Sequence, residues 1–154
     1  MTASTSAPIR AVISDARAER IATLFERLAP ADVTRLGEYY DANTRFKDPF
    51  NDVRGVLEVQ RIFAHMFTAL KEPRFVVQRA IVQGKECFLT WDFLFRFKRR
   101  SPAPQTVHGG SHLVLDAHGH ITLHRDYWDA AEELYEKLPV VGALMRWLKR
   151  RVAS

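Results

Sequence analysis

The chain has 154 residues, 47% hydrophobic and 27% charged, which suffices for one domain with a buried core and is too short for two. Disordered, collagen-like and low-complexity architectures are excluded by that balance. Lys and Arg number 23 against 18 Asp and Glu, a formal charge of +5, yet the last nine residues hold Arg146, Lys149, Arg150 and Arg151 and no acid. The remainder carries 19 bases against 18 acids, so the basicity belongs to a tail and a nucleic-acid partner is not expected.

A lone cysteine, Cys87, rules out an intrachain disulfide and a cysteine-built zinc site, and points to a reducing, cytoplasmic setting. No apolar run approaches the roughly 20 residues that span a bilayer. Met1 to Pro8 is rich in Ser, Thr and Ala and lacks the apolar stretch of a secretory signal, so residues 1–13 are read as a flexible tail.

From Ser14 to Leu28, Ile21, Leu24, Phe25 and Leu28 recur at helical spacing, with Ser14 as cap and Pro30 closing the segment. A second short helix is predicted from Asp32 through Val33, Leu36 and Tyr40. After Gly55, the residues Val59, Ile62, Phe63, Met66, Phe67 and Leu70 make a wide apolar stripe that predicts a third helix, ended by Pro73.

Beyond Pro73 the period becomes strand-like: Phe75 to Val82, a turn at Gly84-Lys85, then Cys87 to Lys98. Pro102 and Pro104 break the chain, and a hairpin follows, from Gln105 to Asp116 and from His120 to Asp129 about the turn Asp116-Ala117-His118-Gly119. Helices followed by an antiparallel meander imply an α+β fold. Helical pattern returns from Ala130 to Leu138 and again from Val140 to Val152.

Two stretches, Thr44-Arg45-Phe46-Lys47-Asp48-Pro49 and Ile121-Thr122-Leu123-His124-Arg125-Asp126-Tyr127-Trp128-Asp129, sit in this order of elements. Together they resemble the nuclear-transport-factor-2-like superfamily, which includes SnoaL-like cyclases, ketosteroid isomerases and limonene-epoxide hydrolases. The resemblance covers roughly residues 15–138 and implies a cone-shaped curved antiparallel sheet around an apolar pocket, usually in a homodimer. The expected division is a tail (1–13), a cone domain (14–138) and a basic amphipathic C-terminal helix (139–154). A shared cone does not by itself fix an activity.

The resemblance gives three carboxylates a role. Asp48 stands where the isomerases carry the base that removes a proton beside a carbonyl, and is the first choice as base; from the residues alone it is a turn-forming Asp before proline. Asp126 matches the hydrolase aspartate that activates water, and strand alternation places His124 and Trp128 on its face. Asp92 falls where the hydrolases keep their second acid. His124 is taken as an orienting or proton-relaying group.

The sequence also departs from both families. Thr90 and Phe46 replace the hydrolase arginine and tyrosine, and Asp48 stands where an asparagine is expected; Leu24 and Ser111 replace the isomerase tyrosine and acid. Neither family's donor arrangement carries over. The expected pocket is lined by Phe46, Phe63, Phe67, Thr90, Ser111, Leu113 and Trp128, and holds a small apolar or carbonyl-bearing organic molecule.

Between Cys87 and Lys98 the odd positions are all apolar and the even ones hold Thr90, Asp92, Arg96 and Lys98. Turning Asp92 inward, as the resemblance implies, would expose the apolar face unless a second copy covered it. The expectation is a homodimer with Trp91, Phe93 and Phe95 at or near its interface.

No metal or other cofactor is expected: His108 and His112, four residues apart on a strand, stand roughly 13 Å apart, too far to share an ion. The C-terminal stripe Val141, Leu144, Met145, Leu148 and Val152, with its basic flank, fits packing on its own domain, a partner surface or an anionic membrane. Two functions stand side by side. One is a cofactor-independent isomerase, cyclase or hydrolase using aspartate acid/base chemistry. The other is a non-catalytic ligand-binding or accessory subunit acting through the cone and the helix.

Overall fold

The computed structural model describes residues 10–98, 103–133 and 139–152. The first nine residues of the predicted tail, Pro102 and residues 134–138 of the penultimate helical pattern lie outside them. Helix α1 (Ala16–Arg27) buries Ile21, Leu24 and Phe25 and packs on strand β3 (Leu70–Gln83). Its cap is Asp15 rather than Ser14: the Asp15 carboxylate accepts the backbone N–H groups of Arg17 and Ala18.

A hydrogen bond from the Arg17 guanidinium, opposed by partial burial and aided by those backbone groups, holds Asp15 at about 2 against an ordinary 3.8. A depressed folded-state value means the cap stabilises above pH 3.8 and its contribution fades as pH falls through about 2. Asp15→Ala is expected to cost about 1 kcal/mol at neutral pH. In acid denaturation the gap between variant and parent should close below about pH 2.

The predicted second helix is a 3-10 segment, Pro30–Glu38, and Tyr40 does not belong to it. Tyr40 opens strand β1 (Tyr40–Lys47), which the sequence pattern did not reveal, and a short β2 (Asp52–Arg54) pairs back on it. The run Asp41-Ala42-Asn43-Thr44-Arg45 is polar, and a register irregularity between Tyr40 and Arg45 breaks the alternation by which a strand is recognised.

Helix α2 (Val56–Ala69) begins after Gly55, whose φ of 99° suits glycine, and passes directly into β3. Pro73 therefore lies inside a strand. It is accommodated because β3 is an edge strand with a bulge between Lys71 and Arg74.

β4 (Glu86–Phe97), β5 (Gln105–Leu115) and β6 (Ile121–Tyr127) follow, and the six strands order as β2-β1-β6-β5-β4-β3. All pairs are antiparallel except β1 with β6, so the curved, unclosed sheet is mixed rather than wholly antiparallel. Its inner face and the helices enclose a core that includes Ile21, Leu36, Tyr40, Val59, Leu89, Leu113 and Ile121. Cys87 is buried there; burial raises its thiol to about 11, which keeps it protonated and unreactive. A four-residue helix α3 (Ala130–Glu133) and helix α4 (Pro139–Val152) complete the chain.

Candidate active site

Strands β4, β5 and β6 each send alternate residues into the cone, and the register sets which ones meet. Trp91 pairs with Gly109, Ser111 with Asp126, and Leu113 with His124, while on the far side of β6 Phe46 of β1 stands beside His124. Gly109 makes room for the indole, since a Cβ there would lie 2.5 Å from the Trp91 ring.

The result is one continuous hydrogen-bonded chain. Trp91 Nε1 lies 2.8 Å from Ser111 Oγ, which lies 2.5 Å from Asp126 Oδ1. His124 Nε2 lies 2.7 Å from the same Oδ1, and His124 Nδ1 lies 2.7 Å from the Tyr40 hydroxyl. An indole N–H can only donate, so Ser111 accepts from Trp91 and gives its own hydrogen to Asp126.

The Tyr40 pKa is raised well above its ordinary value by burial and then by the charge of Asp126, which keeps the hydroxyl protonated. With Tyr40 donating to Nδ1, a neutral His124 carries its hydrogen on Nε2 and donates it to Asp126. Both hydrogen bonds to Asp126 fall on Oδ1, and Oδ2 has no partner among the described residues. Phe25, Tyr40 and Phe46 all lie against the His124 ring, which is 2% exposed.

Asp126 lies in the wall of a cavity of about 300 Å³. The other walls are apolar: Phe46, Phe50, Ile62, Phe63, Met66, Leu70, Phe75, Trp91, Phe93, Phe95, Phe97, Val107 and Trp128, with Asp48 and His65 as further polar groups. Phe75 stacks on Phe93 at 4.6 Å between centroids, and Phe93 on Phe95 at 5.2 Å, forming one aromatic wall. A narrow recess of about 10 Å³, near the room one water needs, adjoins Ser111, His124 and Asp126.

Of the sequence candidates, Asp126, Phe46, Phe63 and Trp128 line the cavity, and Ser111 and His124 stand behind Asp126. Asp48 also reaches the wall, but its carboxylate caps the β1–β2 turn. Oδ1 accepts the backbone N–H groups of Phe50 and Asn51, each at 2.7 Å, and both oxygens accept from the Asn51 amide at 3.0 Å.

Asp92 stands on the other face of the sheet, bonded to Gln78 at 3.0 Å and His108 at 2.6 Å. Thr90 shares that outer face, Phe67 packs against the core, and Leu113 is wholly buried; none of the three lines the cavity. The three carboxylates do not converge. Trp91, Phe93 and Phe95, placed by expectation near a subunit interface, line the cavity together with Ile62, Phe63 and Met66 of α2. Sequence reasoning missed Tyr40, Phe75 and His65. Trp91 and Phe93 were signalled only by the parity of β4.

A family model for the SnoaL-like domain matches residues 21–124. The chain belongs to the SnoaL-like family. No curated protein matches it in sequence. Among solved structures, a hypothetical protein from Catenulispora acidiphila with a ketosteroid isomerase-like fold, in complex with trimethylamine, is similar at a TM-score of 0.68 and 16% identity, covering 79% of this chain and 92% of that one.

A protein from Jannaschia sp. CCS1 described as a SnoaL-like polyketide cyclase gives 0.66 at 16% identity, over 75% and 87% of the two chains. An epoxide hydrolase of M. tuberculosis resembling limonene-epoxide hydrolase gives 0.61 at 16%, over 90% and 94%. At these identities the likeness is one of fold: this SnoaL-like chain is an α+β cone of the nuclear-transport-factor-2-like kind. No described helix is long and apolar enough to cross a membrane.

Proposed function

We propose that this SnoaL-like protein performs cofactor-independent acid/base chemistry on a small, largely apolar organic molecule, with Asp126 as the base. One observation carries the reading: Asp126, in the wall of an aromatic cavity, is fixed through Oδ1 by Ser111 and His124, while Oδ2 has no partner among the described residues. A carboxylate so held needs no reorganisation to take a proton from a bound carbon acid or water. The Tyr40–His124 pair supports it from behind. Asp48, with Oδ1 occupied by three N–H groups, acts as a structural cap.

The test needs no knowledge of the natural substrate. β-Tetralone is a compact apolar ketone with acidic α-protons, and their exchange into deuterated water can be followed by NMR. Enzyme-dependent exchange supports the reading, and exchange no faster than in buffer counts against it.

A second reading, a binding or accessory subunit without turnover, is favoured by a different observation. No Lys, Arg, Asn or Tyr is among the described residues lining the cavity, and the Trp91 indole N–H is taken by Ser111, so an oxyanion would find only His65 and the Trp128 indole N–H as side-chain donors there. A ligand bound at the cavity without turnover would select that function.

The lone cysteine supports a cytoplasmic setting. The proposed homodimer is supported by the outer sheet face, where Phe88, Leu94, Val114 and Leu123 are half-buried and Tyr127 is exposed. Sedimentation velocity at micromolar concentration is expected to give a dimer that Leu94→Lys dissociates.

A further inference from the structure

We propose that α4 docks the protein on an anionic lipid surface, lying in the plane of the headgroups. The helix has 14 residues, about 21 Å at 1.5 Å per residue, too short to span a bilayer of roughly 30 Å. Leu144, Trp147 and Leu148 are 53, 45 and 41% exposed, and their spacing of three and four residues puts them on one helical face. Nowhere else among the described residues do three exposed large apolar side chains fall within five positions of one another.

Charge selects the partner. Arg146, Arg150 and Arg151 are exposed, and from Arg146 onward the chain contains no acid. The Arg151 guanidinium lies 4.9 Å from the Trp147 ring centroid, so the indole has apolar neighbours on one side and a cation on the other. That combination suits the boundary between acyl chains and phosphates. A nucleic acid would be met by a basic, polar face rather than by exposed Leu and Trp, and the body of the protein, 19 bases against 18 acids, adds no attraction to a polyanion.

Trp128 lines the cavity, and α3, which leads towards α4, starts two residues later. The docking itself does not depend on any chemistry at Asp126.

Flotation of the full chain with vesicles tests this. With equal parts phosphatidylcholine and phosphatidylglycerol the protein is expected to float; with phosphatidylcholine alone it should stay at the bottom. Raising salt from about 0.1 M to about 1 M, which shortens the screening length from roughly 10 to 3 Å, should release it. Arg150→Gln with Arg151→Gln should lower partitioning by about thirty-fold. Trp147→Ser with Leu148→Ser should lower it by about tenfold or more.

Brominated phosphatidylglycerol should quench the fluorescence of the parent but not of Trp147→Phe, which still floats. Three results would overturn the proposal: no flotation with phosphatidylglycerol, equal flotation by the parent and both double variants, or tighter binding to a duplex DNA fragment than to the vesicles.

Discussion

Asp126→Asn is expected to cut proton exchange from β-tetralone by about 10²–10⁴-fold while leaving the fold intact. The side-chain carbonyl of Asn can still accept the hydrogen bonds that Ser111 and His124 now give to Oδ1. Only Oδ2 is replaced, by an amide that cannot take a proton at neutral pH. Stability should therefore change by less than about 1 kcal/mol, and loss of exchange without loss of melting temperature assigns the base.

Asp48→Asn provides the contrast. Asn keeps the oxygen that caps the turn, so exchange should stay within about twofold of the parent and the cap should weaken only slightly. The two aspartates were both candidates in the sequence, and Asp48 was the first choice as base. If Asp48→Asn abolished exchange and Asp126→Asn did not, the assignment would be reversed.

Why the sequence ranked them that way is a matter of range. Asp-Pro is read locally, and its capping of Phe50 and Asn51 is local too. Asp126 gains its role from Ser111, 15 residues earlier, and from His124, whose own partner Tyr40 lies 84 residues away. No pattern of spacing reports such a contact. Tyr40 was moreover read into a helix, because β1 is polar and bulged where alternation would have shown it.

The large elements were legible for the opposite reason. α1 and α2 show their apolar faces at the helical period, and β4 keeps every odd position from Cys87 to Phe97 apolar. That alternation set Asp92 on the face opposite the aromatic residues, while Asp92 was kept as a candidate. The resemblance pulled it inward and a second subunit was invoked to cover the aromatic face. In the structure the cavity and α2 occupy that place, since a cone buries its inner face on itself. At Asp92, where the two disagreed, the period gave the face on which it lies.

The largest expected effect on stability is at His124. Its ring is 2% exposed and holds the Tyr40 hydroxyl on one side and Asp126 on the other. His124→Ala leaves a cavity among Phe25, Tyr40 and Phe46, a buried hydroxyl without its acceptor and a carboxylate with one donor fewer. The cost should be about 3–5 kcal/mol, or a fall of roughly 10 °C or more in melting temperature for a domain of this size.

Tyr40→Phe removes one hydroxyl from the same chain and should cost only about 1–2 kcal/mol. The two losses should not add. Once His124 is gone the Tyr40 hydroxyl has lost its partner, so Tyr40→Phe in the His124→Ala background should be nearly neutral or restore stability. Urea denaturation of the four proteins in this cycle measures the coupling. Additive losses would mean that Tyr40, His124 and Asp126 are neighbours without being a unit, and Asp126 would then owe its position to Ser111 and Trp91 alone.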